Sequence, residues 1–326
     1  MNLTSPDRCE HFSCPERSLS FAVYILLYVC SAAVVLLTLC GNLLVIISVF
    51  HFKQLHTPTN MLVLSLAMSD FLAGIFVMPP MLIWAIESCW IFGKVLCSIY
   101  WLSASLLTIT NYTIAQIAVD RYCSLSNPFL YMNIVSVKIT RFVIVCNWCV
   151  VMIYIVAVLY FNGNFTSSVM CPGECFLFLN EVWTIIDLVF SFAFPLTVII
   201  ILYTQVFVIA KKHATAIKKH NNHTWSKTQK MNTYSIKSER KAAKVLGILV
   251  FVFIMCLLPY YIYSFLGNVI ELQTETFQKV SIFFCINSTI NPIIYALFYP
   301  WFRRCIKLIA TLKIFKIDSA LMKVLS

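Results

Sequence analysis

Long apolar runs alternate with short polar segments along most of this chain. The runs lie at about 22–50, 58–86, 95–123, 139–161, 182–210, 243–268 and 277–299. Each run is long enough to cross about 30 Å of hydrocarbon as a helix, which takes roughly 20 residues. The pattern therefore predicts an all-α membrane protein, a seven-transmembrane helix bundle at 22–299 with spans one to seven in chain order. A polar tail at 1–21 precedes the bundle, and a tail at 300–326 follows it, beginning with a short amphipathic helix 8 at 300–310.

The composition agrees with a chain that lies mostly in lipid. Hydrophobic residues make up 60% of the chain, charged residues 11%, and the mean hydropathy is +0.86. Soluble domains carry about 25% charged residues. The net charge of +11 could suit nucleic acid, but the basic residues cluster between the apolar runs. In that position they act as topology and lipid-surface signals, so we expect contact with membrane lipid and no nucleic-acid partner.

The basic residues also predict which side of the membrane each segment faces. One set of alternate segments holds Lys53, Arg121, Lys138, Arg141, the loop from Lys211 to Lys244, and Arg303 onward. The other set holds only Arg8, Arg17, Lys94 and Lys279. Cytoplasmic segments carry the excess of Lys and Arg, so we expect a multi-pass protein with an extracellular N-terminus. The polar, basic segment 211–240 is expected to be a flexible cytosolic loop.

The last apolar run contains polar residues and a proline that lipid would not tolerate. Pro292 removes a backbone N–H and frees a carbonyl, and hydrocarbon offers nothing to satisfy it. We therefore expect Asn287, Ser288 and Asn291 to face the other spans and to form hydrogen bonds with them.

Six cysteines lie in segments predicted to be extracellular, where disulfides form: Cys9, Cys14, Cys89, Cys97, Cys171 and Cys175. Six cysteines allow 15 pairings, and spacing alone does not choose among them. Asn2 and Asn164 head extracellular glycosylation sequons, whereas Asn111 and Asn287 head sequons inside spans and should stay unmodified.

At this point the chain resembles the rhodopsin-like, class A G-protein-coupled receptors. The matching residues occur in the family's order: Gly41-Asn42, Leu66-Ala67-Met68-Ser69-Asp70, Cys97, Asp120-Arg121-Tyr122, Trp148, Pro195, Tyr203, Pro259 and Asn291-Pro292-Ile293-Ile294-Tyr295. A narrower resemblance, to the trace amine-associated receptors, is carried by the stretch from Asn287 to Phe302. It is supported by Ser13-Cys14-Pro15, Glu174-Cys175, 180–183, 210–214 and 238–244. Divergence elsewhere suggests a fish olfactory member of that family.

The resemblance implies a plasma-membrane receptor that signals through a heterotrimeric G protein, Gs or Golf, to cAMP. It implies disulfides Cys97–Cys175 and Cys14–Cys171, with Cys9 as the alternative to Cys14. It also implies a switch formed by Asp120-Arg121-Tyr122 with Glu239 at the foot of span six. Pro259, Asn291 and Pro292 belong to the switch, and Tyr203 and Tyr295 would reorganise with it. Leu257 stands where the family usually has tryptophan.

The family also implies an allosteric sodium ion, with no other cofactor. Its pocket would consist of Asp70, Thr110, Asn287, Ser288 and Asn291. The alternative is a protonated Asp70 in a water network. Cys305, after the start of helix 8, is either palmitoylated or a free thiol.

Most amine receptors pair the ligand ammonium with an aspartate in span three. Here that position is Ser103, counted back from Arg121, or Ala104, counted forward from Cys97, so span three has lost one residue relative to the family. The acid left in the outer half of the bundle is Asp187, two turns before Pro195. A charge at membrane depth costs at least about 2.5–3.5 kcal/mol on insertion scales and needs a partner, which a ligand cation would supply.

The alternative for Asp187 is a structural role, protonated or hydrogen-bonded to Ser103, Ser105 or Thr184. Further candidate ligand contacts are the π faces of Trp183, Tyr260 and Tyr261. Ser191, Ser264 and Cys285 are candidate residues of the pocket wall. The leading hypothesis is a receptor for small cationic amines. The second is the same architecture tuned to a non-amine odorant, and a transporter or channel is a remote third. An enzyme is not expected, because no nucleophile–base pair or metal-ligand spacing is present.

Overall fold

Helices make up most of the described part of the chain. The computed structural model describes residues 14, 20–169, 173–175, 179–220, 247–248, 250–263, 266, 274–315, 319–322 and 324, and these contain no strand. In that part, six stretches are long and apolar enough to cross a membrane, and Val250–Tyr263 is a seventh, shorter apolar helix. We call the face that carries the two disulfides described below the outer face, and the opposite one the inner face.

The helices follow the predicted runs closely. Span one is Phe21–His51, span two is Pro58–Phe76 with Met78–Glu87, span three is Gly93–Ala104 with Leu107–Ser126, and span four is Val137–Val169. Span five is Glu181–Asp187, a π-helical segment Leu188–Ala193, and Phe194–His220. Span six is described over Val250–Tyr263, span seven is Thr274–Phe298, and helix 8 is Pro300–Ala310. Short helical turns are Lys53–Leu55, Pro128–Ile134, Lys313–Phe315 and Ser319–Leu321.

Local polar residues start several of these helices. The Thr57 side chain accepts the Asn60 N–H at 3.3 Å, and Pro58 follows it at the first helical position. Asn180 accepts the Trp183 N–H at 2.9 Å at the start of span five. Such caps satisfy N–H groups that have no partner within the helix. The sequence thus defines where spans two and five begin.

Span five continues past its predicted end. The helix runs through His220, so residues 211–220 are helical and not part of a flexible loop. The apolar run ends near 210, but the polar residues that follow it remain compatible with helix. Residues 221–240, the rest of the predicted loop, lie outside the described residues, as does Glu239.

The disulfides confirm one expected pairing and correct the other. Cys97 pairs with Cys175, with Cα atoms 5.6 Å apart. Cys14 pairs with Cys89 across 5.5 Å, and not with Cys171 as expected. Ser88 ends span two in a left-handed conformation and places Cys89 at the outer rim, beside Cys14. Cys9, Cys171 and Asn2 lie outside the described residues, as does the side chain of Asn164.

The proline of span seven packs directly against span one. A Cβ atom built on Gly41 would lie 2.6 Å from Pro292 Cβ. Next to it, the Asn42 amide donates to the Ser288 carbonyl at 3.1 Å and to the Thr38 carbonyl at 2.9 Å. The Ser288 carbonyl is the one that an N–H at position 292 would bind in an α-helix, and proline has none. Asn42 therefore supplies the donor that Pro292 lacks.

We predict that Gly41→Ala destabilises the bundle. The added methyl has no room beside the Pro292 ring, and overpacking of this kind typically costs about 1–3 kcal/mol. The measurement is the thermal unfolding midpoint of the detergent-solubilised protein, which should fall. Gly247→Ala is the matched control, because its Cβ position has no described atom within 4 Å. Equal midpoints for the two variants would contradict this prediction.

Candidate functional site

Asp187 lies at the junction between the first helix of span five and its π-helical segment. The Tyr154 hydroxyl, from span four, donates to Asp187 Oδ1 at 2.6 Å. The Ser191 hydroxyl donates to the same oxygen at 2.8 Å. Within the described ranges, no basic side chain forms an ion pair with Asp187. The carboxylate is thus held by neutral hydroxyls alone.

These partners differ from the ones expected for a structural Asp187. The Thr184 hydroxyl donates to the Asn180 carbonyl at 3.1 Å, and the Ser105 hydroxyl to the Trp101 carbonyl at 2.8 Å. Both side chains serve their own helices, because hydroxyls in a helix commonly bond the carbonyl four residues back. Ser103 is buried and bonds Leu106 through its backbone carbonyl. The hydroxyl that reaches Asp187 from another span is therefore that of Tyr154, and not that of Ser103 or Ser105.

The π-helical segment exists beside a second membrane proline, Pro195. Pro195 has no N–H for the Ser191 carbonyl, four residues earlier. The π-helical register of the preceding segment leaves the Phe190 carbonyl without its α-helical donor as well. Asn111 Nδ2 donates to the Ser191 carbonyl at 2.7 Å, and the Tyr112 hydroxyl to the Phe190 carbonyl at 2.9 Å. Span three therefore satisfies both carbonyls.

Span six joins the same group of hydrogen bonds. The Tyr261 hydroxyl donates to the Ser191 carbonyl at 3.4 Å and accepts from Asn111 Nδ2 at 3.3 Å. Its ring stacks on Phe192 with centroids 4.1 Å apart. Asn111, Ser191 and Tyr261 are all buried. We call these three residues the buried triad; it connects spans three, five and six one turn below Asp187.

Span three changes its helical register where the sequence count is short by one residue. Three N–H groups, of Leu106, Thr108 and Ile109, bond the carbonyls three residues earlier, at 3.0, 3.1 and 2.9 Å. Turns of this type hold 3.0 residues, against 3.6 in an α-helix. The tightened turn separates Gly93–Ala104 from Leu107–Ser126 and explains why the counts from Cys97 and Arg121 disagree.

The remaining candidate ligand contacts are only partly brought together. The Tyr260 ring lies 4.7 Å from Phe284 and edge-on to Tyr261, so these span-six aromatics share one wall. Cys285 is buried against Met81, with its thiol 3.3 Å from the Met81 sulfur. Trp183 instead stacks on Phe161 of span four at 5.4 Å. Ser264 lies outside the described residues.

At the inner end of span three, Asp120 collects three partners. Arg121 donates to it from Nε at 3.0 Å and through a second guanidinium nitrogen, which also bonds Thr59. The Thr59 hydroxyl donates to Asp120 Oδ2 at 2.8 Å and the Tyr131 hydroxyl to Oδ1 at 2.6 Å. Burial and the neighbouring Asp120 raise the pKa of Tyr131 to about 12, so its hydroxyl keeps the proton that it donates.

The other expected switch residues in the described part of the chain lie on spans three, five, six and seven. Tyr203 packs at the edge of the main apolar core, and Tyr122 and Pro259 are half-buried. The Tyr295 ring contacts Tyr299 and Phe302 edge-on at 5.8 and 6.3 Å. Its hydroxyl is buried without a hydrogen-bond partner in the described part of the chain. Arg121 itself bonds Asp120, which also accepts hydrogen bonds from Thr59 of span two and Tyr131 of the Pro128–Ile134 helix.

Asp70 is fully buried among oxygen and amide groups of span seven. The Ser288 hydroxyl donates to Oδ1 at 2.7 Å and Asn291 Nδ2 to Oδ2 at 2.6 Å. Thr110 contacts Asp70 and shares a hydrogen bond of 2.9 Å with Ser69. Asn287 is buried as well but does not bond Asp70. Four of the five expected pocket residues thus meet here.

The burial of Cys305 distinguishes between its two expected states, a free thiol and a palmitoylated one. It is fully buried on the face of helix 8 that packs against span one. Burial raises the pKa of its thiol to about 11. Acylation needs an accessible thiolate, so the structure matches the free, packed thiol and not the palmitoylated form.

Tyr154, Asn111 and Tyr112 were not recognised as site residues from the sequence. Tyrosine in an apolar run has no pattern of its own, and Asn111 attracted notice only as a buried sequon. The usable signal was Pro195, since a proline in a span requires a donor from a neighbouring helix. Polar residues of span three were the nearest source.

We predict that Asn111→Leu destabilises the bundle, because it leaves the Ser191 carbonyl without its shorter hydrogen bond. Hydrogen bonds between membrane helices are worth about 0.6–2 kcal/mol, so the thermal midpoint should fall measurably. Asn147→Leu is the matched control. Its amide nitrogen is buried without a partner among the described residues, so its loss should cost nothing. A midpoint that drops equally in both variants would contradict the assignment.

Comparison with known proteins identifies the family. The model of the 7 transmembrane receptor (rhodopsin family) matches residues 41–295. Trace amine-associated receptor 13c of Danio rerio is 36% identical over 317 residues, covering 94% of this chain and 92% of that protein. Trace amine-associated receptor 8a of Rattus norvegicus is 37% identical over 96% and 94% of the two chains. Trace amine-associated receptor 1 of Macaca mulatta is 34% identical over 95% of each.

These matches confirm the resemblance seen in the sequence and the seven-helix architecture. They also agree with the expectation that the chain is not an enzyme, because the relatives are named as receptors. The chain belongs to the trace amine-associated receptor family of rhodopsin-like, multi-pass membrane receptors.

Proposed function

We propose that this protein is a receptor for small cationic amines and that the ligand ammonium pairs with Asp187. The observation that carries the proposal is a carboxylate in the outer half of the bundle held by two neutral hydroxyls and, within the described ranges, by no cation. An ionised carboxylate at membrane depth gains strongly from a cationic partner. The relatives named for trace amines point to the same ligand class.

The aromatic side chains beside Asp187 suit the same ligand. The Ser191 hydroxyl bonds Asp187, the Ser191 carbonyl accepts from Tyr261 of span six, and Tyr260 packs edge-on to Tyr261. A desolvated ammonium over an aromatic face gains about 2 kcal/mol. An apolar amine tail would pack against Phe192 and Phe284, which these tyrosines contact.

The second candidate is the same receptor tuned to a non-amine odorant. The observation in its favour is that Tyr154 and Ser191 already satisfy one oxygen of Asp187. Both donors, however, use Oδ1, and Oδ2 keeps its capacity for a ligand. This asymmetry favours the amine.

The proposed setting is the plasma membrane, with the N-terminus outside and signalling through Gs or Golf to cAMP. The two outer disulfides support it, because they require an oxidising compartment. Glycosylation at Asn2 and Asn164, contact with membrane lipid, and a role in olfaction belong to the same proposal. On activation, span six would move outward at the inner face and open a cleft beside Arg121 for the G protein.

An allosteric sodium ion is also proposed at Asp70. The oxygen donors there, Asp70, Thr110 and Ser288, are of the kind that hard cations prefer. Asn42, bonded to the Ser288 carbonyl, has a buried side-chain oxygen without a hydrogen-bond partner in the described part of the chain. When bound, the ion would neutralise Asp70 and stabilise the inactive arrangement of spans two and seven.

We predict that Asp187→Asn weakens amine responses by about 10- to 100-fold in half-maximal concentration. The change keeps the shape and removes a charge-assisted hydrogen bond worth about 1.5–3 kcal/mol. The measurement is a cAMP reporter assay on cells with an amine panel and quantified surface expression. Glu181→Gln is the matched control, because Glu181 is an exposed carboxylate one helix turn and a half earlier on span five.

If the Asp187→Asn receptor reaches the surface and responds to amines like the wild type, the role of Asp187 is structural. If Glu181→Gln also lost the response, the ammonium would pair at the outer rim.

We predict that Tyr131→Phe raises ligand-free cAMP. The variant removes the hydroxyl that holds Asp120 and keeps the ring. A neutral donor to a charged group contributes about 1.5–3 kcal/mol, so losing it from the inactive form should shift the balance toward the active form by roughly tenfold or more. The readout is basal cAMP normalised to surface receptor. Met132→Leu, exposed on the same short helix, should leave it unchanged. Unaltered basal signalling in Tyr131→Phe would mean that the hydroxyl does not restrain the switch.

A further inference from the structure

We infer that Tyr154 is a positioning and specificity-determining residue of the ligand site: it fixes the Asp187 carboxylate so that one oxygen, Oδ2, meets the ligand, which selects ammonium ions that carry N–H groups. The inference rests on the proposed pairing of an amine with Asp187. It concerns a residue of span four that neither the sequence motifs nor the family comparison singles out.

The two oxygens of Asp187 are in different states. Oδ1 accepts from Tyr154 at 2.6 Å and from Ser191 at 2.8 Å. A carboxylate oxygen has two lone-pair sites, so these two donors fill Oδ1. Among the described residues, no side chain donates to Oδ2. The charge therefore remains available on one side of the carboxylate.

Tyr154 is itself held in place, so it does not simply follow the carboxylate. Its ring packs on Phe190 with centroids 4.4 Å apart. Phe190 is fixed in turn by Tyr112, through a ring contact of 5.3 Å and a hydrogen bond of 2.9 Å to its carbonyl. Tyr112, Phe190 and Tyr154 come from spans three, five and four. A carboxylate bonded to such a group has a defined orientation.

Ser191 alone would not define that orientation. It lies four residues after Asp187 on the same span, so its hydroxyl moves with the carboxylate when span five moves. Tyr154 bonds from a different helix and so sets the carboxylate relative to the bundle. The positioning role therefore falls to Tyr154.

The geometry implies a ligand chemistry. A primary ammonium carries three N–H groups and can place one or two of them on Oδ2. A quaternary trimethylammonium carries none, and it gains only charge attraction and contact with aromatic faces. A carboxylate with one free, oriented oxygen thus favours N–H-bearing amines over their trimethylated forms. If the carboxylate could rotate, this preference would weaken.

The test compares phenethylamine, cyclohexylamine and butylamine with their N-trimethyl counterparts in the cAMP assay. In the wild type, we expect each primary amine to be roughly tenfold or more potent than its trimethyl form, the range of one charge-assisted hydrogen bond. In Tyr154→Phe, the primary amines should lose roughly tenfold in potency with an unchanged maximal response, and the trimethyl forms should lose little. The ratio between the two series should therefore shrink.

Tyr160→Phe is the matched control, because Tyr160 lies on the outer part of the same span and is 78% exposed. It should leave both the potencies and the ratio unchanged. Ser191→Ala removes the other donor to Oδ1 and should narrow the ratio less than Tyr154→Phe. If Tyr154→Phe did not reach the surface, thermal-shift binding of the same amine pairs to the purified variant would give the ratio directly.

The inference is overturned if Tyr154→Phe keeps the wild-type ratio, or if it weakens both series equally, since that is what a packing role alone would do. These outcomes are distinct from a failure of the proposed function. If the proposed function is wrong, Asp187→Asn retains the amine response, and the inference is then wrong as well because it depends on that pairing. Loss of the response in Asp187→Asn together with an unchanged ratio in Tyr154→Phe removes the inference alone.

Discussion

Backbone carbonyls that prolines leave without a donor impose the main constraint on this bundle. In water such a carbonyl is solvated, but in hydrocarbon it needs a protein donor. Asn42 of span one bonds the Ser288 carbonyl, four residues before Pro292. Asn111 of span three bonds the Ser191 carbonyl, four residues before Pro195. In both places an asparagine from one span replaces the missing N–H of another, so the relative positions of the helices are tied to backbone chemistry.

The hydrogen bonds to the Ser191 carbonyl also connect the proposed ligand site to the neighbouring spans. The Ser191 carbonyl is bound by Asn111 and Tyr261, while the Ser191 hydroxyl binds Asp187. A shift of Asp187 toward a ligand therefore acts on a residue whose backbone is held by spans three and six. Tyr261, one turn after Leu257, provides a polar contact from span six to span five. The buried triad therefore connects span six to Asp187 through Ser191.

Much of this architecture follows from the sequence, and the exceptions have physical reasons. Hydropathy defines the spans because each must match the same thickness of hydrocarbon, and Thr57 and Asn180 define starts because they cap orphan N–H groups. The sequence counts indicated one residue fewer in span three than in the family, and the structure has a change of helical register at Leu106. The pairing of Cys14 with Cys89 depends on the path of the outer loops, and Tyr154 has no periodic signal within an apolar run. Neither can be read from spacing.

The three aspartates within the spans differ in how far their partners balance their charge, and this difference separates their roles. Asp120 has a full cation in Arg121 and two hydroxyl donors, so its charge is balanced within the protein. Asp70 has one donor on each oxygen, a hydroxyl and an amide, from the span that carries Pro292. Asp187 has both donors on a single oxygen and, within the described ranges, no cation. A diffusible cation therefore gains most at Asp187, because there it meets an unbalanced charge with one oxygen already oriented by Tyr154.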